Sequence, residues 1–517
     1  MTPVPWWQTA VFYQIYPRSF CDTDGDGVGD LEGIRRRLPY LARLGVDCLW
    51  LSPFYRSPMA DYGYDVSDYC DVDPLFGDLA GFDRLLEEAH ELGLRVIIDF
   101  VPNHTSDQHP WFVDARSSRT SAHRDWYVWR DPVASVDPGG DPGPPPNNWR
   151  AAFGDIPSWT WDAPTGQWYL HMFLPQQPDL DWSNPAVVEA MHGVLRFWLD
   201  RGVDGFRIDV VHALGKDSAL PDQPPETRRL PYSAVNDDER THPILRDIRR
   251  LMDSYPGDRV TVGEVFLLST SRVATYYGDN DELHLAFNFP PLFAPWDAPA
   301  WRTRIDQTIA ALDPRQAWPT WVLSNHDNPR HRTRYGGSEA RARAAALLLL
   351  GLRGSAFVYA GEELGLEDAT IPPDRVVDPG GRDGCRAPIP WEPGPAHGWA
   401  TTDPWLPWPP DAGSRSATVE EDDPASMLHL YQQAIAVRRA SAALSRGTFA
   451  WKDAPAGVLM WERSWDGEDV LVALNMTGAP QPLSLPAGEE WEPLVSSGDG
   501  VFDGTLAADR AVWLGRA

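Results

Sequence analysis

Four short apolar runs in this chain each end in a group of polar or charged residues. They are VIIDFVPNH at 96–104, GFRIDV at 205–210, VTVGE at 260–264 and WVLSNHD at 321–327. Each run has the length and the β-branched or aromatic content of a strand. Parallel (β/α)8 barrels place functional side chains at the carboxyl ends of several strands. We therefore predict that the four polar ends meet at one face of such a barrel.

Arg207 and Asp209 lie two residues apart in the second of these runs. This spacing places both side chains on the same face of a strand. Because charged side chains are rarely buried unless they are paired, one interpretation is a structural ion pair at the strand end. The three other polar strand ends favour a second interpretation, in which the pair belongs to a functional site.

Strand-like and helical patterns alternate along most of the chain, which predicts a parallel sheet with right-handed crossovers. The predicted strands cover residues 10–16, 48–51, 96–101, 205–209, 260–264, 284–288, 321–324 and 356–359. The predicted helices cover residues 31–44, 79–92, 185–200, 242–254, 301–312, 339–352 and 425–439. Eight strands in this order predict an α/β fold of the (β/α)8 TIM-barrel class.

The alternation of strands and helices is interrupted in two places. The segment 105–182 is rich in Trp, Pro, Gly and Asn. It is too long for an ordinary loop, so we predict a small inserted domain after the third strand. It divides the barrel into residues 1–104 and 183–442, with an irregular excursion at about 365–423 over the barrel mouth. Short strand-like runs predict a separate antiparallel β domain at 443–517.

Composition limits the partners of the chain. It has 517 residues, of which 43% are hydrophobic, and its formal net charge is -29. Since phosphates require basic patches, we expect neither a nucleic-acid partner nor an anionic membrane surface. The sequence shows no signal peptide and no apolar run of membrane-spanning length, so we expect a cytoplasmic protein. The four cysteines have the spacing of neither a zinc site nor a redox pair, and the sequence leaves the oligomeric state open.

The four strand ends resemble the four signature regions of the α-amylase superfamily, glycoside hydrolase family 13. The matching segments are DFVPNH (99–104), GFRIDV (205–210), GEVF (263–266) and SNHD (324–327). A fifth segment, QPDLD (177–181), resembles the QPDL motif of the oligo-1,6-glucosidase and α-glucosidase branch. The resemblance implies that Asp209 is the nucleophile, Glu264 the general acid and base, and Asp327 a third carboxylate that stabilises the transition state.

The chemistry of retaining glycosidases requires a carboxylate that attacks the sugar and a carboxylic acid that protonates the leaving oxygen, about 5–5.5 Å apart. Arg207 beside Asp209 is expected to keep the nucleophile ionised, because a nearby cation lowers the pKa of a carboxyl group. Glu264 has to keep its proton, so we expect its surroundings to be less cationic and more apolar.

The resemblance also implies a set of residues that bind the sugar. Asp61 would contact its non-reducing end, Tyr64 would stack under the ring, and His104 and His326 would donate hydrogen bonds to hydroxyl groups. Arg382 or Arg386 should join Asp61, and we favour Arg382. Phe153, Phe173 and Gln177 are candidate walls, for which core packing is the alternative. The predicted substrate-binding residues are Asp61, Tyr64, His104, Phe173, Gln177, Arg207, His326 and Arg382.

The loop DTDGDGVGD at 22–30 spaces its carboxylates like the first half of an EF-hand loop. The Glu that an EF-hand needs at the twelfth position is replaced by Gly33, so the loop is not an EF-hand. An acidic surface turn is one interpretation. The family resemblance favours a structural Ca²⁺ or Mg²⁺ site, and no organic cofactor is expected. The predicted ligands are the side chains of Asp22, Asp24, Asp26 and Asp30 and the carbonyl of Val28.

These features predict a retaining, exo-acting α-glucosidase that removes terminal α-1,4- or α-1,6-linked glucose from short oligosaccharides, with transfer to other acceptors as a side activity. One alternative is a glucosyl isomerase of the trehalose synthase type, in which we expect smaller residues than Val210 after the nucleophile. A second alternative is a non-catalytic binding protein of this fold, but such proteins lose the carboxylates. Asp181 and residues 211–217 depart from the branch pattern, and both concern the subsite of the leaving group.

Overall fold

The structure is a computed structural model that describes residues 4–133, 141–227, 235–486, 490–498 and 502–516. Eight strands form one parallel sheet, in which each of the first five strands pairs with the next one along the chain and the eighth strand pairs with both the first and the seventh. The predicted barrel class is therefore confirmed. The strands are Val11–Ile15, Cys48–Leu51, Arg95–Phe100, Gly205–Ile208, Val260–Gly263, Leu285–Ala286, Thr320–Val322 and Ser355–Tyr359.

The sixth and seventh strands complete the barrel through side chains, since no backbone ladder joins these two described strands. The Thr320 hydroxyl donates to the carbonyl oxygen of Ala286. The Tyr277 hydroxyl accepts the N–H of Ala286 at 3.0 Å and donates to the carbonyl of Trp318 at 3.1 Å. The sixth strand has two residues, and its short length explains why side chains complete the pairing.

Helices follow the strands and cover the outside of the barrel. Most of them begin at a side-chain cap of the preferred type, such as Asp30, Asp78 and Asn184, which satisfies backbone N–H groups of the first turn. The long helices are Leu31–Leu44, Leu79–Glu91, Pro185–Asp200, Thr241–Asp253, Ala298–Leu312, Glu339–Gly351 and Met427–Ala440, and the short helix Thr270–Val273 follows the fifth strand. Among the described residues, no helix combines the length and the apolar character needed to cross a membrane.

The segment between the third strand and its helix folds around helix Pro110–Ala115 and a three-stranded antiparallel sheet. The strands of this sheet are Trp129–Arg130, Trp159–Asp162 and Gln167–Leu170. Single antiparallel bridges join His104 to Asp179 and Tyr127 to Leu180. The end of the inserted segment therefore returns to the polar end of the third barrel strand.

The last part of the chain forms a five-stranded antiparallel sheet. Its two longest strands turn at Asp466 and Gly467, which have φ values of 48° and 86°, as a two-residue hairpin requires. Buried Arg463 of this sheet donates to the carbonyl of Gly351, at the end of a barrel helix, at 3.2 Å. The strands, in sheet order, are Ala450–Trp451, Val458–Trp465, Glu468–Asn475, Arg510–Arg516 and Trp491–Ser496.

Shorter elements connect these parts. The short α-helices are Trp6–Thr9, Phe289–Leu292, His331–Arg334, Ala417–Asp422 and Ala442–Arg446. The 3₁₀ turns are Pro17–Ser19, Arg124–Trp126, Val211–Ala213, Ala274–Tyr277, Asp313–Arg315, Pro373–Arg375 and Asp383–Arg386. Two small strand pairs are Tyr55–Arg56 with Asp68–Val72 and Gln481–Pro482 with Thr505–Leu506.

Candidate active site

A cavity of about 290 Å³ lies at the carboxyl ends of the barrel strands. Strand ends, the inserted segment and the excursion all contribute to its wall. Asp209 and Glu264 extend the backbone pairing by one residue beyond their strands: the N–H of Asp209 donates to Phe100 and that of Glu264 to Ile208, both at 2.8 Å. The lining residues are Asp61, Tyr64, His104, Ala152, Phe153, Phe173, Asp209, Val210, Glu264, Phe266, Phe289, Asp327, Asn328 and Arg382.

Arg207 contacts three carboxyl groups from three neighbouring strands. Its Nη1 lies 2.9 Å from Asp99 and 2.6 Å from Asp209, and its Nη2 lies 2.7 Å from Glu264. The expectation of less cationic surroundings for Glu264 is therefore wrong. The reason is register: Arg207 is paired with Val262 in the adjacent strand, so its guanidinium reaches the strand end that carries Glu264.

The carboxyl groups of Asp209 and Glu264 lie on the same guanidinium, because Asp209 contacts Nη1 of Arg207 at 2.6 Å and Glu264 contacts Nη2 at 2.7 Å. Burial raises the pKa of Asp209 well above its usual range, Arg207 opposes this, and Glu264 adds to it. Arg207 thus acts in the expected direction without determining the net shift.

Val210 follows Asp209 in a left-handed conformation, with φ 42° and ψ 39°. This is a rare conformation for a β-branched residue, and such strain costs on the order of 1–3 kcal/mol. The conformation turns the backbone N–H of Val210 toward Glu264, whose Oε2 it reaches at 3.1 Å. The Val210 side chain lines the cavity next to the carboxyl pair.

His326 and Asp327 are held by residues that are distant in the sequence. Nδ1 of His326 lies 2.7 Å from Gln14 Nε2, and Nε2 of His326 lies 2.7 Å from the Tyr64 hydroxyl oxygen. Tyr64 stacks on this ring at 5.5 Å between centroids. Burial by itself would raise the pKa of Asp327, but His326, Arg382 and Arg386 hold it well below its usual range. Asp327 is therefore an ionised carboxylate in the cavity wall.

Arg382 joins Asp61 to Asp327 across the cavity. Its guanidinium lies 2.8 Å from Asp61 and 3.0 Å from Asp327. Arg386 is buried behind the wall, where it contacts Asp327 at 3.0 Å and does not line the cavity. Asp378 lies 2.6 Å from Arg382 and 3.4 Å from Arg386, so it orients both.

His104 and Gln177 meet on the side of the cavity formed by the inserted segment. Gln177 Nε2 donates to Asp61 at 3.1 Å, and His104 Nε2 lies 3.1 Å from the carbonyl of Tyr64. Burial lowers the pKa of His104 to about 4, so the ring is neutral at pH 7. Gln177 is buried and does not line the cavity, so the structure places it behind Asp61.

Apart from Asn328, the remaining wall is apolar. Phe153 and Phe173 lie 5.9 Å apart between centroids, and Phe266 and Phe289 meet edge to face at 4.9 Å. The first pair was predicted from the sequence, and the second was not. Phe266 is in the GEVF segment, which was a signal for it, whereas Phe289 follows a two-residue strand without a clear pattern.

Other contacts were also missed. Asp99, in DFVPNH, lies against Arg207, and the Tyr64 hydroxyl donates to it at 3.1 Å. Burial raises the pKa of Asp99 to about 6. Its position at a polar strand end was a usable signal. Asp378 and Gln14 gave no comparable signal, because one is in an irregular loop and the other within an apolar strand.

The acidic loop brings three of its predicted ligands together. One carboxylate oxygen from each of Asp22, Asp24 and Asp30 falls within 4.8 Å of the others, whereas Asp26 lies outside this group. Asp22 and Asp30 are buried. Gly33 is required by close packing, since a Cβ there would lie 2.0 Å from the carbonyl oxygen of Cys21. A Glu ligand at this position is therefore excluded.

Comparisons with known proteins agree with this site. The family model described as "Alpha amylase, catalytic domain" matches residues 14–447. A probable α-glucosidase from Rhizobium meliloti is 42% identical over 95% of this chain and 93% of its own length. An oligo-1,6-glucosidase from Parageobacillus thermoglucosidasius is 34% identical over 93% of this chain and 92% of its own length.

Solved structures lead to the same assignment. An α-glucosyl transfer enzyme is 41% identical with a TM-score of 0.90, and all of both chains is covered. The trehalulose synthase of Pseudomonas mesoacidophila is 34% identical with a TM-score of 0.91, again over all of both chains. This chain is a member of the α-amylase family, glycoside hydrolase family 13, in its α-glucosidase and oligo-1,6-glucosidase branch.

Proposed function

We propose that the protein is a retaining, exo-acting α-glucosidase of short oligosaccharides. The observation that carries the proposal is the pair of carboxyl groups, Asp209 and Glu264, that both contact Arg207 in the cavity wall. The same wall holds the ion pair of Asp61 and Arg382, whose atoms are 2.8 Å apart. These two residues come from different loops, so their ion pair obstructs the passage of a polymer. A cavity of about 290 Å³ suits one terminal sugar and part of the next.

In this mechanism Asp209 attacks the anomeric carbon while Glu264 gives its proton to the leaving oxygen. The bond from the sugar to that oxygen breaks, and a covalent bond to Asp209 forms. Glu264 then takes a proton from water, which attacks the same carbon and releases Asp209. Arg207 contacts both carboxyl groups, so it balances the charge as the proton leaves Glu264.

The polar wall is suited to binding a glucosyl unit. Asp327 is ionised, and a carboxylate accepts hydrogen bonds from two neighbouring sugar hydroxyls. Asp61 and Arg382 offer an acceptor and a donor at the far side of the cavity. The negative charge of Asp327 would also stabilise the positive charge that develops on the sugar ring.

The second sugar faces Val210, Phe266 and Phe289, which offer no hydrogen-bonding side-chain group. An apolar wall discriminates between shapes by only about 1–3 kcal/mol. We therefore propose cleavage of both α-1,4 and α-1,6 bonds, with transfer of glucose to other hydroxyl acceptors. The names of the relatives, which include oligo-1,6-glucosidase and an α-glucosyl transfer enzyme, support this range.

Hydrolysis of maltose, isomaltose, kojibiose, nigerose, sucrose and trehalose tests the proposal. We expect glucose to be released first as the α-anomer, which proton NMR detects before mutarotation. Release of the β-anomer would contradict the retaining mechanism.

A second candidate is a glucosyl isomerase, because a trehalulose synthase has this fold at 34% identity. An isomeric disaccharide as the main product of sucrose or maltose would favour that candidate.

We also propose that the acidic loop binds Ca²⁺ or Mg²⁺ as a structural ion. Carboxylate oxygens are the ligands that these hard cations prefer, and Asp22, Asp24 and Asp30 supply three of them within 4.8 Å. The ion would offset the mutual repulsion of these groups beside the helix that Asp30 caps.

A cytoplasmic location is also proposed, since all four cysteines are free thiols, as a reducing compartment favours.

A further inference from the structure

Asn328 is the only amide side chain that lines the cavity within the described part of the chain. It follows Asp327, a few residues beyond the seventh barrel strand. The short helix that begins with Phe289 packs against this strand. Phe289 also lines the cavity and contacts the ring of Phe266. Asn328 therefore adjoins the apolar side of the cavity, where the second sugar is expected.

Hydrogen bonds fix the orientation of the Asn328 amide. The backbone N–H of Asp327 donates to Asn325 Oδ1 at 2.9 Å, and a backbone N–H requires an acceptor, so this atom is the amide oxygen. Asn328 Nδ2 lies 2.9 Å from the same oxygen. Because two amide oxygens cannot hydrogen-bond to each other, the Asn328 atom at this position is its NH₂ nitrogen. The oxygen of the Asn328 amide consequently points away from Asn325.

The oxygen of the Asn328 amide is an acceptor that the fold leaves unused. No residue in the described ranges donates a hydrogen bond to Oδ1, and this atom retains accessible surface. The residue as a whole is only 8% exposed. Since Asn328 lines the cavity, its accessible oxygen opens into the cavity. The result is one oriented acceptor beside an otherwise apolar surface.

An amide oxygen in this position is suited to a hydroxyl group, which can donate a hydrogen bond to it. The neighbouring side chains Val210, Phe266 and Phe289 have no hydrogen-bonding group for that hydroxyl. A single acceptor takes the proton of whichever hydroxyl reaches it. It therefore favours sugars over leaving groups without hydroxyls, and it does not by itself select the linkage.

We propose that Asn328 is a specificity-determining residue whose Oδ1 accepts a hydrogen bond from a hydroxyl of the second sugar. This inference rests on the proposed function for the reaction. The same oxygen would hold a sugar that accepts glucose by transfer, because the acceptor occupies the place of the leaving group. In that step one acceptor hydroxyl gives its proton to Glu264 and bonds to the anomeric carbon, and the bond to Asp209 breaks. A different hydroxyl of the acceptor contacts Asn328.

The first test compares a sugar leaving group with an aryl leaving group. Asn328→Leu keeps the approximate size of the side chain, and Asn328→Ala does not intrude on its neighbours. Both variants should lower the ratio of kcat/KM for maltose to kcat/KM for p-nitrophenyl α-glucoside. We expect a decrease of roughly fivefold to tenfold, the order for the loss of one neutral hydrogen bond. The nitrophenyl group has no hydroxyl, so it cannot use the Asn328 oxygen.

The second test isolates the acceptor step. With p-nitrophenyl α-glucoside as the donor, glucose and methanol compete with water for the same glucosyl-enzyme. Chromatography of the products gives the ratio of transfer to hydrolysis for each acceptor. In Asn328→Leu, transfer to glucose should fall relative to transfer to methanol by a similar factor, because methanol has no second hydroxyl to bind.

Asn184→Ala is the matched control for Asn328→Ala. The Asn184 oxygen accepts the N–H of Ala186 at 2.9 Å at a helix start, and Asn184 does not line the cavity. This variant removes a helix cap and should lower the melting temperature. It should leave both ratios unchanged, which would separate the effect of Asn328 from a loss of stability.

The proposal is overturned if neither Asn328 variant changes the ratio of maltose to aryl glucoside hydrolysis. It is also overturned if kcat/KM falls equally for both substrates, because this result would assign Asn328 a structural role in placing Asp327. A wild type that releases no glucose from any α-glucoside would instead refute the proposed function. Hydrolysis of the aryl glucoside with an unchanged ratio would refute only the role of Asn328.

Discussion

The backbone N–H of Val210 donates a hydrogen bond to Oε2 of Glu264 at 3.1 Å from a left-handed conformation. The residue after the proposed nucleophile thus orients the proposed acid. Arg207 contacts the same oxygen at 2.7 Å. Two donors at one oxygen leave the other oxygen of Glu264 as the site from which its proton can be given to a leaving group.

The carboxyl pair provides the first prediction. Asp209→Asn should remove nearly all turnover and leave the fold intact, because the amide is not a nucleophile. Glu264→Gln should reduce kcat roughly 10²–10⁴-fold, the usual contribution of general acid–base catalysis. Steady-state kinetics of both purified variants measures the turnover, and circular dichroism tests whether the fold is intact. Turnover like that of the wild type in Asp209→Asn would exclude Asp209 as the nucleophile.

Val210→Thr should shift the ratio of isomaltose to maltose hydrolysis toward maltose. Both residues are β-branched, so the backbone strain at this position is unchanged, and the new hydroxyl can bond the second sugar. The effect is expected to lie within about 1–3 kcal/mol, which is the range for a change of one group in a pocket wall. The ratio of kcat/KM values measures it. If the wild type cleaves maltose and leaves isomaltose untouched, the linkage preference is not determined by Val210.

Buried His284 should contribute a stability that depends on pH. Burial lowers its pKa in the folded state to about 3, compared with about 6.5 in an unfolded chain. As the pH falls below 6.5, His284 becomes protonated in the unfolded chain but stays neutral in the folded protein. Protonation therefore stabilises the unfolded state, and this contribution to folding stability is lost. The stability difference between the wild type and His284→Gln should therefore fall by about 2 kcal/mol from pH 7 to pH 5.

Urea unfolding at each pH measures this difference. Between pH 7.5 and 8.5 the difference should stay constant, because neither state of His284 titrates there, and this range is the internal control. A difference that is also constant between pH 7 and pH 5 would show that His284 takes up a proton equally well in the folded protein.

The acidic loop gives a prediction about stability. Removal of divalent cations with EDTA should lower the melting temperature, because a ligand of the native state is lost. The rate at saturating substrate should change little at temperatures well below the transition. Asp24→Ala should have the same effect, since Asp24 is exposed and loses few packing contacts. Re-addition of Ca²⁺ should restore the melting temperature of the wild type and leave that of Asp24→Ala unchanged. Identical melting curves of the wild type with and without EDTA would contradict the metal site.

The sequence by itself determined the alternation of strands and helices and the positions of Asp209, Glu264 and Asp327. These features are local, because the period of the apolar residues and the polar residue at each strand end are visible within a few positions. The resemblance to family 13 depended on the same segments. Predicted helix 185–200 agrees with the observed Pro185–Asp200 at both ends, helped by Asn184 as a cap.

Tertiary structure decided which distant residues meet. Asp61 and Arg382 are separated by 321 positions, and no local pattern distinguishes Arg382 from Arg386 as its partner. The fold also placed Arg207 against Glu264, for which less cationic surroundings were expected from the sequence. The physical reason is that hydrogen bonds and charge interactions depend on distances of a few ångströms. The register of neighbouring strands and the path of the inserted segment determine those distances, and neither can be read from nearby residues.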